Sequence, residues 1–243
     1  MKLTNKYSLF SSPAYVELCQ QLQDVEYDRC FYEIDLFASA LSSFDVIVWD
    51  KAHNLWTEYD DSNINHKNHW ISGTIKGSDI KRMQWNIIKW CKATYIAEEC
   101  EGTIMHAGQF LERPGKPFKV VLKVPKLTRF LTKIDYPNKG DIMRFMRTLG
   151  KIKVQVSITV PEGNYTIHSL GIECQMENSE DVYAILGKLW NRHLITFPLY
   201  KKLLENDELQ QFHVSHIKLI YNDGKLTGCK MYLVPNYNIK KLC

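Results

Sequence analysis

Apolar residues recur along this chain in two rhythms, one near every third or fourth position and one at every second, and their alternation predicts most of its elements. Ala14 to Val25 sets Val16, Leu18, Leu22 and Val25 loosely on one side, the spacing of a short helix. Phe31 to Ala38 alternates as a strand does. Ser42 or Ser43 then stands where a cap is wanted, and Phe44, Val48, Leu55, Trp56 and Tyr59 follow close to helical spacing. Asp60 to Asn68 is polar, rich in Asp and Asn, and predicts a loop. The clearest helix runs from about Ser78 to Tyr95, with Ile80, Met83, Ile87, Trp90, Cys91 and Thr94 on one face.

From Thr103 onward hairpins and helices alternate. Thr103–Glu112 and Phe118–Val124 flank Arg113-Pro114-Gly115-Lys116, a tight-turn sequence. In Lys151–Val160 the residues Ile152, Val154, Val156, Ile158 and Val160 face one way, and Lys153 and Gln155 the other. Pro161-Glu162-Gly163-Asn164 turns the chain into Tyr165–Cys174. Asn178 or Ser179 caps the next helix, with Val182, Ile185, Leu186, Leu189 and Trp190 as its buried stripe. Pro198 opens another helix through Leu199, Leu203 and Leu204. Asn222-Asp223-Gly224 between His216–Tyr221 and Leu226–Val234 is a strong hairpin signal. Strands in antiparallel pairs separated by helices predict an α+β fold, an antiparallel sheet built from hairpins with packed helices. With no linker of biased composition, residues 1–26 are expected to form an N-terminal helical segment and residues 27–243 a single domain.

Composition narrows the class. With 45% hydrophobic and 24% charged residues, long disorder is not expected. No apolar run reaches a membrane span or a signal peptide, which points to a soluble or peripheral protein. Seven cysteines without CxxC spacing predict free thiols in a reducing compartment. The net charge of +4 hides an uneven distribution. Residues 1–112 hold ten Lys/Arg against sixteen Asp/Glu, residues 113–153 twelve against two, and residues 154–243 nine against nine. The middle segment thus carries +10 within 41 residues and is expected to attract anions.

Its cations are the main candidate site: Arg113, Lys116, Lys119, Lys123, Lys126, Arg129 and Lys133. Lys119 and Lys123 share one face of a strand, with Val121 between them, and Lys126, Arg129 and Lys133 recur along one face of a short helix. Gathered into one ridge, they suit an anionic lipid surface or a nucleic-acid backbone; folding that scatters them leaves ordinary solvated charge. A secondary surface comprises Lys81, Arg82, Trp85, Lys89 and Lys92, where an aromatic among cations suits lipid headgroups or nucleic acid unless a neighbouring loop covers it. His66 and His69 lie in the polar loop with no thiolate near, and His106, His168, His213 and His216 have no nucleophile or carboxylate partner identifiable from sequence. No phosphate-binding loop, hydrolase elbow, zinc-protease or kinase signature occurs. No catalytic residue, metal or cofactor is therefore expected.

Several short segments, in their order, resemble those of rhabdovirus matrix proteins. They are Cys30–Ala38 with the following Trp49 and Trp56, Cys100-Glu101-Gly102, and the proline-flanked Glu112-Arg113-Pro114-Gly115-Lys116-Pro117 and Leu122-Lys123-Val124-Pro125. Gly150–Val160, Trp190 and Ile217–Leu233 complete the set. The resemblance implies a matrix-like α+β domain and a non-enzymatic viral protein. A PPxY or P[ST]AP budding motif is absent, and Tyr136-Pro137-Asn138-Lys139 lacks the final Leu of YPxL. That favours an accessory, host-interaction role over a virion matrix that links nucleocapsid to membrane and drives budding. The partners so implied are host proteins or the viral nucleocapsid, an anionic membrane surface, RNA, or further copies of the chain. The place implied is the host cytoplasm, the nucleus, or the inner face of the membrane or virion. A nucleic-acid-binding or nucleic-acid-processing protein is the reading from a different class.

Overall fold

The computed structural model describes residues 13–22, 26–38, 44–60, 63–109, 116–149, 153–162, 166–176 and 181–236. The first of its helices and strands are α1 (Pro13–Gln21), β1 (Arg29–Asp35), β2 (Phe44–Asp50), β3 (Leu55–Asp60) and β4 (Asn63–Ser72). Then come α2 (Gly77–Arg82), α3 (Ile87–Glu99), β5 (Thr103–Gln109), β6 (Phe118–Lys123), α4 (Leu127–Lys133) and α5 (Lys139–Thr148). β7 (Val154–Thr159), β8 (Ser169–Gln175), α6 (Val182–Trp190), α7 (Phe197–Leu204), β9 (Phe212–Asn222) and β10 (Lys225–Pro235) complete the order. The fold is mixed α+β. Its strands run antiparallel in the order β1-β10-β9-β8-β7-β6-β5-β4-β3-β2, a closed barrel. Contacts group the chain into two compact units. Unit 1 holds residues 1–67, 176–217 and 228–243, and unit 2 holds residues 68–175 and 218–227.

In unit 1, β1 pairs with β2 on one side and β10 on the other. Alternation along β1 gives the sheet two distinct faces. Cys30, Tyr32 and Ile34 are buried on one face together with Phe44, Val46 and Val48 of β2. α1 lies on this helix-bearing face: the hydroxyls of Tyr15 and Tyr32 are 2.8 Å apart, and the Tyr15 ring meets Phe44 edge-on at 5.4 Å. α6 is capped by Asp181, whose carboxylate accepts from the Tyr183 backbone N–H, and it buries Val182, Ile185, Leu186 and Leu189. Thr196 opens α7 and ties it to the end of β1, through its N–H to the Leu36 carbonyl and its hydroxyl to that of Ala38.

In unit 2, β5 to β8 form a run of neighbouring strands. Val120, Leu122, Val156, Ile158, Leu170, Ile172 and Cys174 make its apolar face, each at or near complete burial. Phe118 belongs to that face, and Trp85 and Trp90 at the start of α3 pack against it, so α3 covers this side. Beyond α4, the Tyr136 hydroxyl sits 3.0 Å from the carbonyl oxygens of both His168 and Tyr221, which anchors the segment to β8 and β9. The β9–β10 turn forms as the sequence predicts. Asp223 and Gly224 both take positive φ, 47° and 76°, and a Cβ at Gly224 would come within 2.6 Å of the Pro137 carbonyl oxygen.

Three sequence expectations are corrected. The helix expected after Ser42 is the β2–β3 hairpin, turning at Lys51–Asn54 with Asn54 at φ 51°. Its spacing of four, Phe44 to Val48 and Leu55 to Tyr59, fits a period of two as well as one of 3.6, and β-branched Val46, Ile47 and Val48 tip it to strand. Most of the polar stretch expected to be a loop belongs to β4, whose residues His69 to Ser72 pair with β5. Ladder hydrogen bonds override weak strand propensity there. The single helix expected over Ser78–Tyr95 is two, broken at Met83–Asn86 where Gln84 has φ 53°. Asn86 restarts it by accepting from the backbone N–H groups of Ile88 and Lys89.

Candidate functional site

Six of the seven predicted cations lie among the described residues, before β6, on it and along α4. Arg113 lies outside the described residues. Lys119 and Lys123 alternate with Phe118, Val120 and Leu122, so they project from the face of β6 opposite α3. Lys126, Arg129 and Lys133 are exposed along α4, where Arg129 forms an ion pair with Glu101 just past the end of α3. Lys116 joins the secondary group instead: its carbonyl accepts from Lys89 Nζ at 3.2 Å.

That group divides too. Trp85, which the sequence left either exposed or covered, is only 6% exposed, edge-on to Phe118 at 5.2 Å. The break before α3 turns it inward. Lys81 and Arg82 stay exposed at the end of α2, Arg82 reaching Asp79 at 3.5 Å. Lys89 and Lys92, with Lys116, line an open cleft of about 590 Å³ at the start of α3, completed by Asn86, Ile88, Gln109, Pro161 and Glu162. Lys89 bonds Glu162 at 2.6 Å and holds that carboxyl below the usual carboxylate range, while Lys92 donates to the Pro161 carbonyl at 3.0 Å. The two lysines thereby fasten neighbouring segments to the helix. The ammonium groups of Lys89 and Lys92 against one carboxylate, with exposed Lys116 beside them, leave the cleft electropositive.

Sequence reasoning missed the outer stripe of α3. Its inner side buries Ala93, Ile96 and Ala97. Ile87, Ile88 and Tyr95 are 56%, 74% and 49% exposed, and Cys91 between them is exposed as well. Ile88, Cys91 and Tyr95 fall at i, i+3 and i+7, one continuous line on a helix. The helical period was legible. Which apolar residues it left uncovered was set by the Met83–Asn86 break, which rotates the register.

The sheet faces turned away from the helices carry further polar groups. In unit 2 a cross-strand row runs Ser72, His106, Val121, Ser157, Gly171. Ser72 Oγ and His106 Nδ1 are 2.6 Å apart, and burial first, then Lys218, lowers the imidazole's pKa while Glu173 opposes. Lys218 Nζ meets Glu173 Oε1 at 3.1 Å in a largely buried pair. Gly171 makes room for it: a Cβ there would approach Ser157 Oγ to 2.2 Å and Lys218 Cε to 2.6 Å.

In unit 1 the corresponding face holds Glu33, Asp45, Glu58 and Lys230, one from each of β1, β2, β3 and β10. Lys230 pairs with Glu33 and lies 3.9 Å from Asp45. Burial, then the charge of Glu33, pushes the Asp45 carboxyl up to about 8, with Lys230 pulling the other way. Burial opposes the Lys230 charge, but Glu33 and Asp45 outweigh it and raise the ammonium's pKa. Between the ordinary value of 3.8 and about 8, folded Asp45 keeps a proton that the unfolded chain releases. Its contribution to stability therefore falls as pH rises through that window. Asp45→Asn should flatten the fall and leave the variant more stable than the parent at high pH. Urea midpoints at about pH 5, 7 and 9 measure this; parallel pH profiles for the two proteins would refute it.

Among the described residues, no group of three or more His, Cys, Asp or Glu is placed to hold a metal ion, and no helix is long and apolar enough to cross a membrane. Five of the six described cysteines are buried, and all six are free thiols. His168 Nδ1 lies 2.8 Å from Asp223 Oδ1 at the surface, and His216 stacks on Tyr232 at 3.9 Å. His69 lies on β4 and His213 on β9. No family profile matches the chain, and no curated protein is significantly similar to it.

Proposed function

We propose that the protein is a non-catalytic, peripheral binding protein that docks on an anionic membrane surface through the outer side of α3. The observation that carries this reading is the exposed line Ile87, Ile88, Cys91 and Tyr95 beside a cleft lined by Lys89, Lys92 and Lys116. Exposed large apolar side chains gathered in one place mark an interaction surface. Cations flanking them select an interface that is apolar below and negative at the headgroups. The charge that the sequence places in its middle third is thus used in part, through Lys116, and joined by lysines from the preceding helix. In the viral setting that the sequence resemblance implies, such docking suits an accessory or host-interaction protein, and equally a matrix layer.

Flotation with phosphatidylserine–phosphatidylcholine vesicles tests the reading. Binding is expected at low salt and is expected to weaken at about 0.5 M salt, where screening is nearly complete. Lys116→Glu reverses one charge near the surface, two elementary units at about 1 kcal/mol each, or roughly thirtyfold in partitioning. Ile88→Asp should remove binding altogether. Absence of flotation at low salt would sink the proposal. Salt-steep RNA binding in its place would favour a nucleic-acid partner.

A further inference from the structure

We infer that the end of the α6–α7 pair around Phe197 binds single-stranded nucleic acid, a base stacking on the Phe197 ring and the adjoining phosphates lying against Lys201 and Lys202. Outside α3, the large apolar side chains exposed among the described residues are Phe197 and Leu204, 62% and 41% exposed and both on α7. Phe197 does not stand alone. Its ring lies 5.7 Å from that of Trp190, the last residue of α6. Trp190 in turn stacks on Tyr200 at 5.0 Å, the two planes only 8° apart. Trp190 and Tyr200 are half-buried, so they support the outer ring and leave it facing water. Layered rings ending in an exposed one form a platform that a nucleobase extends, and every base has the flat face this needs.

Charge is sorted along the helix pair in the same sense. The Tyr183 hydroxyl donates to the Asn206 carbonyl at 3.1 Å, which sets the start of α6 beside the end of α7, while the rings join the other two ends. Asp181 caps α6 and Asp207 follows Asn206, so both acids lie at the end away from Phe197. Lys201 and Lys202 are exposed about one turn beyond Phe197 on α7, and Lys188 is exposed in the turn that holds Trp190. Lys201 reaches Glu205 at 3.8 Å, but the two side chains are 63% and 65% exposed, and a contact so solvated yields readily to a phosphate. A cationic edge beside flat rings suits a nucleic-acid strand, whereas the aliphatic Ile87 and Ile88 suit α3 to acyl chains.

Fluorescence anisotropy with a labelled oligoadenylate of about 12 nucleotides tests this. Binding is expected at about 50 mM salt, and affinity should fall roughly tenfold by about 300 mM, the slope for two phosphates of a single strand. The same strand held in a duplex should bind several-fold more weakly, because its bases are already stacked. Phe197→Ala should cost about tenfold, and Phe197→Tyr should keep the parental affinity, since the ring is what the base needs. Lys202→Glu should weaken binding and flatten the salt slope. In the unmodified protein the Trp190 indole N–H resonance should shift on titration, and those of Trp85 and Trp90 should not. No binding at low salt, equal affinity for strand and duplex, or an unchanged Phe197→Ala variant would overturn the inference. So would strand binding lost with Ile88→Asp, or vesicle flotation lost with Phe197→Ala, which would give α7 to the membrane. Flotation of the parent protein does not depend on this surface, so failure here leaves the membrane reading standing.

Discussion

Replacing Lys230 by Met is expected to destabilise the protein by about 3–5 kcal/mol, the usual cost of removing one partner from a buried ion pair. Lys230 pairs with Glu33 and lies 3.9 Å from Asp45, and the side chains of these two acids are 6% and 21% exposed. A methionine keeps the apolar stem and the volume, so the loss isolates the charge. What remains is three carboxylates facing one another across adjacent strands: Glu33 lies directly opposite Asp45 in the β1–β2 register, and Glu58 opposite Ile47 on β3. Acid should rescue the variant in part, because protonated carboxyls no longer need a counterion. Denaturation at about pH 5 and pH 8 should therefore show the deficit shrinking toward the lower value. Adding Glu33→Gln should recover part of the loss, since the pair is then removed together. A cost below about 1 kcal/mol at both pH values would mean that water reaches the cluster and screens it.

Phe118→Ala is the second large effect, about 3–5 kcal/mol. The ring is completely buried and meets Trp85 edge-on at 5.2 Å and Trp90 at 6.4 Å. Its removal opens a cavity beneath the Met83–Asn86 break, where the only capping side chain is that of Asn86. Urea denaturation should register the lost stability, and tryptophan emission should move to longer wavelength as water reaches Trp85. Vesicle binding should drop along with them, because the exposed line on α3 is oriented by that contact. Unchanged emission with lowered stability would show that Trp85 collapses into the space, and would detach the orientation of α3 from Phe118.

Different parts of this architecture were legible to different degrees, for physical reasons. Turn chemistry gave away the β9–β10 hairpin, since Asp223 and Gly224 tolerate the two positive φ values that the turn demands. Strict alternation gave away β7, and apolar spacing gave away α6 and α7. The β2–β3 hairpin was hidden by a spacing common to both periods, and β4 by its polar sequence. α5 drew no expectation at all: only Ile142 and Met146 of its ten residues are buried, too thin a stripe to read. Closure of the strands into a ring left no trace in local patterns, because it depends on which distant strands meet. The candidate site was half legible for the same reason. The basic segment was plain in the sequence, but its division between the two sides of β6 and along α4 follows from strand alternation and helix placement. The row of touching rings His216, Tyr232, Phe31, Trp56 and Trp49 was invisible, since they come from strands spread between Phe31 and Tyr232.

The pairing of Tyr32 with Leu233 has a bearing on how the molecule is made. On the ribosome β1 emerges early and finds β2 at once, but the strand that must lie along its other edge is about two hundred residues from being synthesised. For most of translation that edge is an open template with unpaired amide and carbonyl groups, able to recruit a strand from a neighbouring nascent chain. Closing so long a loop is slow, which lengthens the exposure. Chaperone demand, and the yield of soluble material at high expression, should accordingly track how soon β10 reaches β1 more than any property of the finished fold.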